Sequence, residues 1–404
     1  MEPSPLSDAK ARLAAEIDRR AEVLVDVSRQ IHARPELNFE EHFAHELLTG
    51  VLEDEGLDVI RSAHGVGTAF EATAGSSGPR VAVVCEYDAL PGIGHACGHN
   101  VIAAAGLGAG LAAAALADEL GGRVVVVGSP AEEGGGGKVP FIDAGTFDGV
   151  DAALMVHPAD ADLLSMDVVA LHQAYVTYTG EAAHAAAAPQ QGRNALDAAV
   201  LGYVNVATLR QHIDPRERIH GIITEGGDRP NVVPHHTRAW WIVRSSTVAR
   251  LEVLKQRFLA CLQAGADAAG CTMHVEWADP VYADMIDSAA IGECYRANAE
   301  ALGRIVRAPS PAARVVGSTD MGNVSYAVPS IHPMIQVAPR GTAIHTPAFA
   351  GYAGGPDGDR AVVDGAKVLA WTVADLWLGD GLIDRAHAEW RGQVDARSGA
   401  GTAS

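Results

Sequence analysis

The sequence predicts an α/β protein of two domains, one inserted into the other. Two observations predict it. β-Branched apolar runs alternate with stretches of helical spacing up to about residue 158 and again after about residue 283, the pattern of a largely parallel α/β sheet. Between them, from about residue 172, the texture changes to strands and two long helices in the order βαββαβ, a ferredoxin-like unit. The larger domain is expected at 1–172 and 283–404, and the inserted one at 173–282.

The elements follow in order. Residues 8–34 place Leu13, Ile17, Val23, Leu24, Val27 and Ile31 at helical spacing, and Pro35 stops that helix. A helix near 40–55 and a strand near 57–61 come next. "RVAVVCEYD" (80–88), "RVVVVGSP" (123–130) and "DAALMVHP" (151–158) read as buried strands. Helices are expected at 100–118 and near 138–145. In the inserted segment, strands are expected at 172–180, 218–224, 237–244 and 271–277, with helices at 194–213 and 248–269. A strand near 333–338 and a final helix at 359–378 complete the larger domain. The tail "DARSGAGTAS" is expected to lack order.

Bulk properties narrow the function. The 404 residues carry 50 acidic against 30 basic side chains, a formal net charge of −20. A nucleic-acid binder would show a basic face, so that class is excluded. The stretch 101–118 is mostly Ala and Gly and reads as a buried helix rather than a membrane span. Five cysteines (85, 97, 261, 271 and 294) at irregular spacing make no disulfide framework, and the N-terminus lacks an apolar signal core. A cytoplasmic setting is expected.

In an open α/β sheet, ligands bind beyond the carboxyl ends of the strands. After strand 81–85 come Glu86, Asp88, His95, Cys97 and His99. Glu132 and Glu133 follow strand 123–128, His157 follows 151–156, and the strand near 333–338 leads to His345. Thiolate, imidazole and carboxylate are the donor types of a divalent metal site. Cys97 and His99, two apart, would point the same way in an extended segment, with Gly98 leaving room for a metal. A thiolate can bridge two cations. Of the adjacent glutamates, one can ligate while the other serves as general base to a water. The second nitrogen of His157 needs a fixed partner, for which Glu86 and Asp88 are candidates.

Plainer readings compete at each position. A lone cysteine after a strand is ordinarily a core residue, but "HACGHN", "PAEEG" and "MVHP" at matching strand ends favour a metal. A Cys/His nucleophile pair would leave Glu132, Glu133 and His157 idle. The run "GGGG" (134–137) lacks the spacing of a phosphate loop. His235 and His236 read as a solvated face, and His184 by itself as a solvated histidine at a helix start.

These stretches together resemble the M20 metallopeptidase and amidohydrolase family. The matching segments are "IHARPELNFEE", "EYDALPGIGHACGHN", "PAEEGGGGK", "MVHP", "GEAAHAAAAPQQGRNALDA", "HGIITEGGDRPNVVP", "GSTDMGNVSYAVPSIHP" and "AIHTPAF", from about residue 29 to 350. Within that family the resemblance is to the branch of p-aminobenzoyl-glutamate hydrolases and M20 domain-containing protein 2-like dipeptidases. Where the hippuricase subgroup reads Asp-x-Asp, this chain has Glu86-Tyr87-Asp88.

The resemblance implies a mixed-sheet, zinc-peptidase-like catalytic domain and an inserted domain that is both lid and homodimer contact. It implies two divalent ions, zinc or manganese, on Cys97, His99, Glu133, His157 and His345, with Glu132 as general base. His184 would stabilise the oxyanion in the partner subunit's site. Asn231 and Arg244 would hold a substrate carboxylate or carbonyl. The activity implied is hydrolysis of an N-acyl amino acid, an aminobenzoyl-glutamate-type amide or a small dipeptide by a metal-activated water. The acidic balance suits a substrate with a basic group. Two alternatives remain: a non-hydrolytic or accessory subunit, and an aromatic deaminase on the same metal site. Neither nucleic acid nor membrane is expected as a partner.

Overall fold

The computed structural model describes residues 4–308 and 316–399. The chain divides into two compact units, Met1–Asp167 with Met285–Val394, and Val168–Asp284 with Asp395–Ser404.

The first unit begins with helix α1 (Pro5–Ala33), capped by Ser4, whose side chain accepts from Ser7 N–H. Helix α2 (His42–Asp54) follows. A six-stranded sheet then forms from β1 (Val59–Arg61), β2 (Phe70–Ala74), β3 (Arg80–Glu86), β4 (Arg123–Ser129), β5 (Ala152–Leu154) and Ser330–Ile331, in the order β1-β2-β4-β3-β5 and then Ser330–Ile331. β3, β4, β5 and Ser330–Ile331 run parallel, while β1–β2 and β2–β4 are antiparallel. The sheet is therefore mixed, because Phe70–Ala74, absent from the sequence reading, adds to β4 as an antiparallel strand.

The third predicted strand is split. β5 pairs with Ser330–Ile331, and β6 (His157–Ala159) pairs with Met334–Gln336, aligning His157 with Met334. His157 thus opens a strand rather than following one.

Helix α3 (His99–Leu120) lies against β3 and β4 and packs on α1 and on the helix Pro356–Leu378. It is long and apolar enough to cross a membrane, but 89% of its most apolar window is buried inside the protein. Its small residues have a packing reason: a Cβ at Gly106 would come within 2.6 Å of Cys85 Sγ, and one at Gly110 within 2.4 Å of Val126 Cγ2. The helix can approach the sheet only because those side chains are missing. Four helices among the described residues went unread in the sequence: the short Met321–Ala327 and Pro347–Ala353, and the longer Ala289–Ala301 and Leu382–Gly399. The last corrects the expectation of a tail without order from 395, since buried Leu382 and Ala386 anchor a helix that runs to Gly399. Residues 400–404 lie outside the described residues.

The second unit has a four-stranded antiparallel sheet in the order Thr272–Trp277, Ala170–Thr179, His236–Ser245, Arg218–Glu225. Helices Ala195–Leu209 and Val248–Ala269 pack on each other and on this sheet. Asn194 and Thr247 cap them. Tyr178, Trp241 and Phe258 fill the core.

Candidate metal centre

The site of the first unit is built where β3, β4 and β6 meet the loop bearing His345. β3 carries the chain to Glu86 and Asp88, both buried. A tight turn then presents Cys97, and Gly98 caps α3, whose first residue is His99. Gly98 has φ +82, and a Cβ there would lie 2.8 Å from the Pro158 ring. The extended geometry expected for Cys97-Gly98-His99 is thus corrected: a turn and a helix start aim both side chains inward, and the glycine makes room for Pro158, not for a metal.

Four groups of potential donors form among the described residues: two contain Glu132, with His99 and Glu133 and with Glu86 and Asp320, and two contain Cys97. Ligand atoms of Cys97, His99 and His157 lie within 4.8 Å of one another, as do those of Cys97, Glu133 and His345. Cys97 belongs to both. Cys97 Sγ is 3.4 Å from His157 Nε2, and His345 Nε2 is 3.3 Å from Glu133 Oε1. His345 has φ +62, a conformation costly for an L-residue, held by its N–H donating to Ala96 O at 2.8 Å.

The partners of the imidazoles differ from the sequence reading. His157 Nδ1 donates to the Pro158 carbonyl at 2.8 Å, not to Glu86 or Asp88, which leaves Nε2 facing Cys97. Burial pushes His157 down to about 4, so it is a neutral imidazole. Asp88 instead serves His99, with Oδ1 at 2.9 Å from Nδ1, while Oδ2 accepts from Glu133 N–H at 3.0 Å. Burial alone would raise Asp88, but the charge and hydrogen bond of His99 outweigh it and hold the carboxyl below its ordinary range.

Glu132 is buried, with Oε2 4.0 Å from His99 Nε2. Burial first, then the charges of Glu86, Glu133 and Asp320, push its carboxyl well above the ordinary range. Behind it lies a fully buried ion cluster absent from the sequence reading. Lys138 Nζ is 2.5 Å from Asp320 Oδ1 and bonds Glu86 as well. Burial would lower Lys138, yet Asp320 and Glu86 hold it up, so it stays charged. Asp320 lies in "GSTDMG" and Lys138 closes the glycine run, so both stood inside quoted motifs without a role.

The glycine run also has a steric reason. A Cβ at Gly135 would come within 2.4 Å of the Phe39 ring, and one at Gly137 within 1.8 Å of Pro130 O. The run admits neighbouring chain and is no phosphate cradle.

His184, Asn231 and Arg244 belong to the second unit. His184 is exposed and sits in a bridge with Val232, not at a helix start; its Nδ1 accepts from Ala186 and Ala187 N–H at 3.3 and 3.2 Å. Asn231 is exposed, and its carbonyl accepts from Ala185 N–H. Arg244 is half-buried on the strand His236–Ser245.

The donor set fits a cation on an observation of its own. Among the described residues His99 Nε2 and Glu86 Oε2 are buried and find no hydrogen-bond partner, 3.7 Å apart, in surroundings with more carboxylates than cationic side chains. Residues 82–373 match the model of Peptidase family M20/M25/M40, more than half of the chain.

The chain belongs to this M20 family.

The M20 chain is 38% identical to the Xaa-Arg dipeptidase of Mus musculus over 95% of its own length and 92% of that protein's. The Homo sapiens Xaa-Arg dipeptidase is 37% identical, over 96% and 93%. One of the p-aminobenzoyl-glutamate hydrolase chains of Escherichia coli is 36% identical, over 60% and 55%. Two solved structures share the fold. An aminobenzoyl-glutamate utilization protein from Klebsiella pneumoniae has a TM-score of 0.73 at 19% identity, covering 90% of this chain and 98% of that one. A Bacillus subtilis dinuclear metal binding peptidase from the M20 family has 0.69 at 18%, over 88% and 98%. The M20 chain is a hydrolase acting on C–N bonds.

Proposed function

We propose that this M20 hydrolase cleaves the amide bond of a small dipeptide or N-acyl amino acid, with preference for a basic residue on the carboxyl side. The observation that carries this reading is Cys97 shared between two donor groups with Glu132 beside them. Cys97, His99, Glu133, His157 and His345 are the proposed ligands of two divalent cations, zinc or manganese. Such cations, when bound, polarise a carbonyl and acidify a water. The neutral His157, with Nδ1 committed to Pro158, and His99, oriented by Asp88, present their Nε2 atoms as donors.

Glu132 is the proposed general base. Placed beside the donor groups, Glu132 would take a proton from the attacking water and return it to the leaving amine, and its burial among Glu86, Glu133 and Asp320 raises its affinity for that proton. His184 is the proposed oxyanion donor, because its Nδ1 is engaged by two backbone amides and Nε2 is the nitrogen left to donate. Asn231 and Arg244 are proposed to hold the substrate carboxylate or carbonyl.

The basic preference rests on the Xaa-Arg dipeptidases, similar along almost their whole length, and on the net charge of −20. An aminobenzoyl-glutamate amide is the second reading, favoured by the similarity to the Escherichia coli hydrolase chain. A homodimer through the second unit is proposed, with that unit as lid. It is supported by exposed Val200, Leu201 and Val204 on one helix and by exposed Ile222 and Ile223 on the edge strand Arg218–Glu225. A cytoplasmic setting agrees with five free cysteines.

The test is Glu132→Gln in metal-reconstituted protein. It should keep its metal and lose at least about a thousandfold in kcat; normal turnover overturns the base assignment. A screen of Xaa-Arg, Xaa-Lys and Xaa-Glu dipeptides, N-acyl amino acids and p-aminobenzoyl-glutamate, read by mass spectrometry, should give the highest kcat/KM for the basic dipeptides. Ammonia as the product would reveal a deaminase. His184→Ala should lower kcat about a hundredfold without loss of metal, and mixing it with Glu132→Gln should restore activity if the partner supplies the histidine.

A further inference from the structure

Between α1 and α2, residues 36–41 run beside the candidate site, and Asn38 and Glu41 each hold a different one of its loops. The carboxylate of Glu36 accepts from Phe43 and Ala44 N–H at 3.0 Å each, fixing the start of α2. The Asn38 side-chain amide, in the orientation that satisfies both neighbours, donates to Asp88 Oδ2 at 3.0 Å and accepts from Gly134 N–H at 3.3 Å. Phe39, at φ +63, lays its ring where Gly135 leaves space. Glu41 is fully buried: Oε1 accepts from Phe39 N–H at 3.0 Å and from Ala131 N–H at 2.9 Å, and Oε2 accepts from Thr68 Oγ1 at 2.8 Å.

Ala131 is the residue before Glu132. It has φ +56, a left-handed conformation that an L-residue avoids unless its surroundings impose it. The peptide so held decides where the next two side chains go. Glu132 and Glu133 are adjacent and must diverge, and a rotation at Ala131 would swing both. Glu41 reaches that peptide with an ionisable group buried among a hydroxyl and two backbone amides. A carboxylate there is costly to desolvate, and the cost is offset only by what it holds.

We infer that Glu41 is a positioning residue for this site, clamping the Ala131 peptide in its left-handed turn so that Glu132 and Glu133 project into the donor cluster. The inference rests on the reading of Glu132 as general base. Glu41 itself touches no reacting atom. Its reach, not its charge, is what the clamp requires, since both N–H groups are bonded by the one oxygen Oε1.

The test compares Glu41→Ala, Glu41→Asp and Glu41→Gln with the wild type, each reconstituted with metal and assayed per metal-loaded chain. Glu41→Ala should lower kcat by about ten- to a hundredfold with KM and metal content little changed, because a displacement on the order of an ångström at a catalytic group costs that much. Glu41→Asp keeps the charge but is one methylene too short, and should lose as much; it also stands in if the alanine variant does not fold. Glu41→Gln keeps an acceptor oxygen for both amides and should restore most of kcat. Wild-type kcat in the Ala or Asp variant overturns the inference. So does a fall that merely tracks lost metal, or a Gln variant as poor as the Ala variant. Glu132→Gln run in parallel separates the two ideas: if it turns over normally the base reading fails, and if it is inactive while Glu41→Asp is normal only the clamp fails.

Discussion

His99 and Asp88 are both buried, and the imidazole Nδ1 stands 2.9 Å from Asp88 Oδ1. That contact fixes the ring and leaves Nε2, which has no hydrogen-bond partner among the described residues, directed at the cluster of Glu86, Glu132 and Glu133. Replacing Asp88 by Ala frees the ring and also releases Glu133 N–H. Metal affinity should fall by about 10–100-fold, measured by competition with a chromogenic chelator. Unchanged affinity would mean that Asp88 does not orient a ligand.

Lys138 is the cation that neutralises Glu86 and Asp320 in the interior, all three fully buried. Lys138→Met keeps the volume and removes the charge. Two carboxylates are then left without a counter-ion, and stability should drop by about 3–5 kcal/mol. Urea unfolding of the two proteins at neutral pH measures it, and a loss under about 1 kcal/mol would show that the cluster contributes little.

Glu41 gives a pH dependence with a definite sign. Burial raises its carboxyl from 4.5 to about 7, against the lowering effect of Thr68 and the backbone amides. A group whose pKa is higher in the folded state favours folding at low pH. That contribution is complete below 4.5 and is lost as pH rises through about 7. The loss is on the order of 3 kcal/mol. The stability of the wild type relative to Glu41→Gln should therefore decline between pH 4.5 and about pH 8. Parallel stability curves for the two proteins would contradict it.

Much of the architecture was legible because β-branched runs and helical spacing are local signals. The runs 80–88 and 123–130 became β3 and β4, and the spacing from 8 to 34 became α1, Pro5–Ala33. Phe70–Ala74 was missed because "FEATA" carries little apolar pattern, and its place is set by pairing with β4. Of the candidate site, the side chains that come together as possible donors were legible because their residue types recur in the segments that follow the sheet strands or, for His157, open one. The residues that hold the donors were not. Lys138, Asp320, Asn38 and Glu41 act through tertiary contacts that no spacing encodes. The partner of His157 was misread because a backbone carbonyl, that of Pro158, serves where a carboxylate was sought.

The central claim is that Cys97 would serve both proposed cation sites, and it is tested most directly by the metal content of wild type and Cys97→Ala, purified without chelator and analysed together. The account predicts two divalent ions per wild-type chain and the loss of both in the variant. A variant that retains two ions would contradict it.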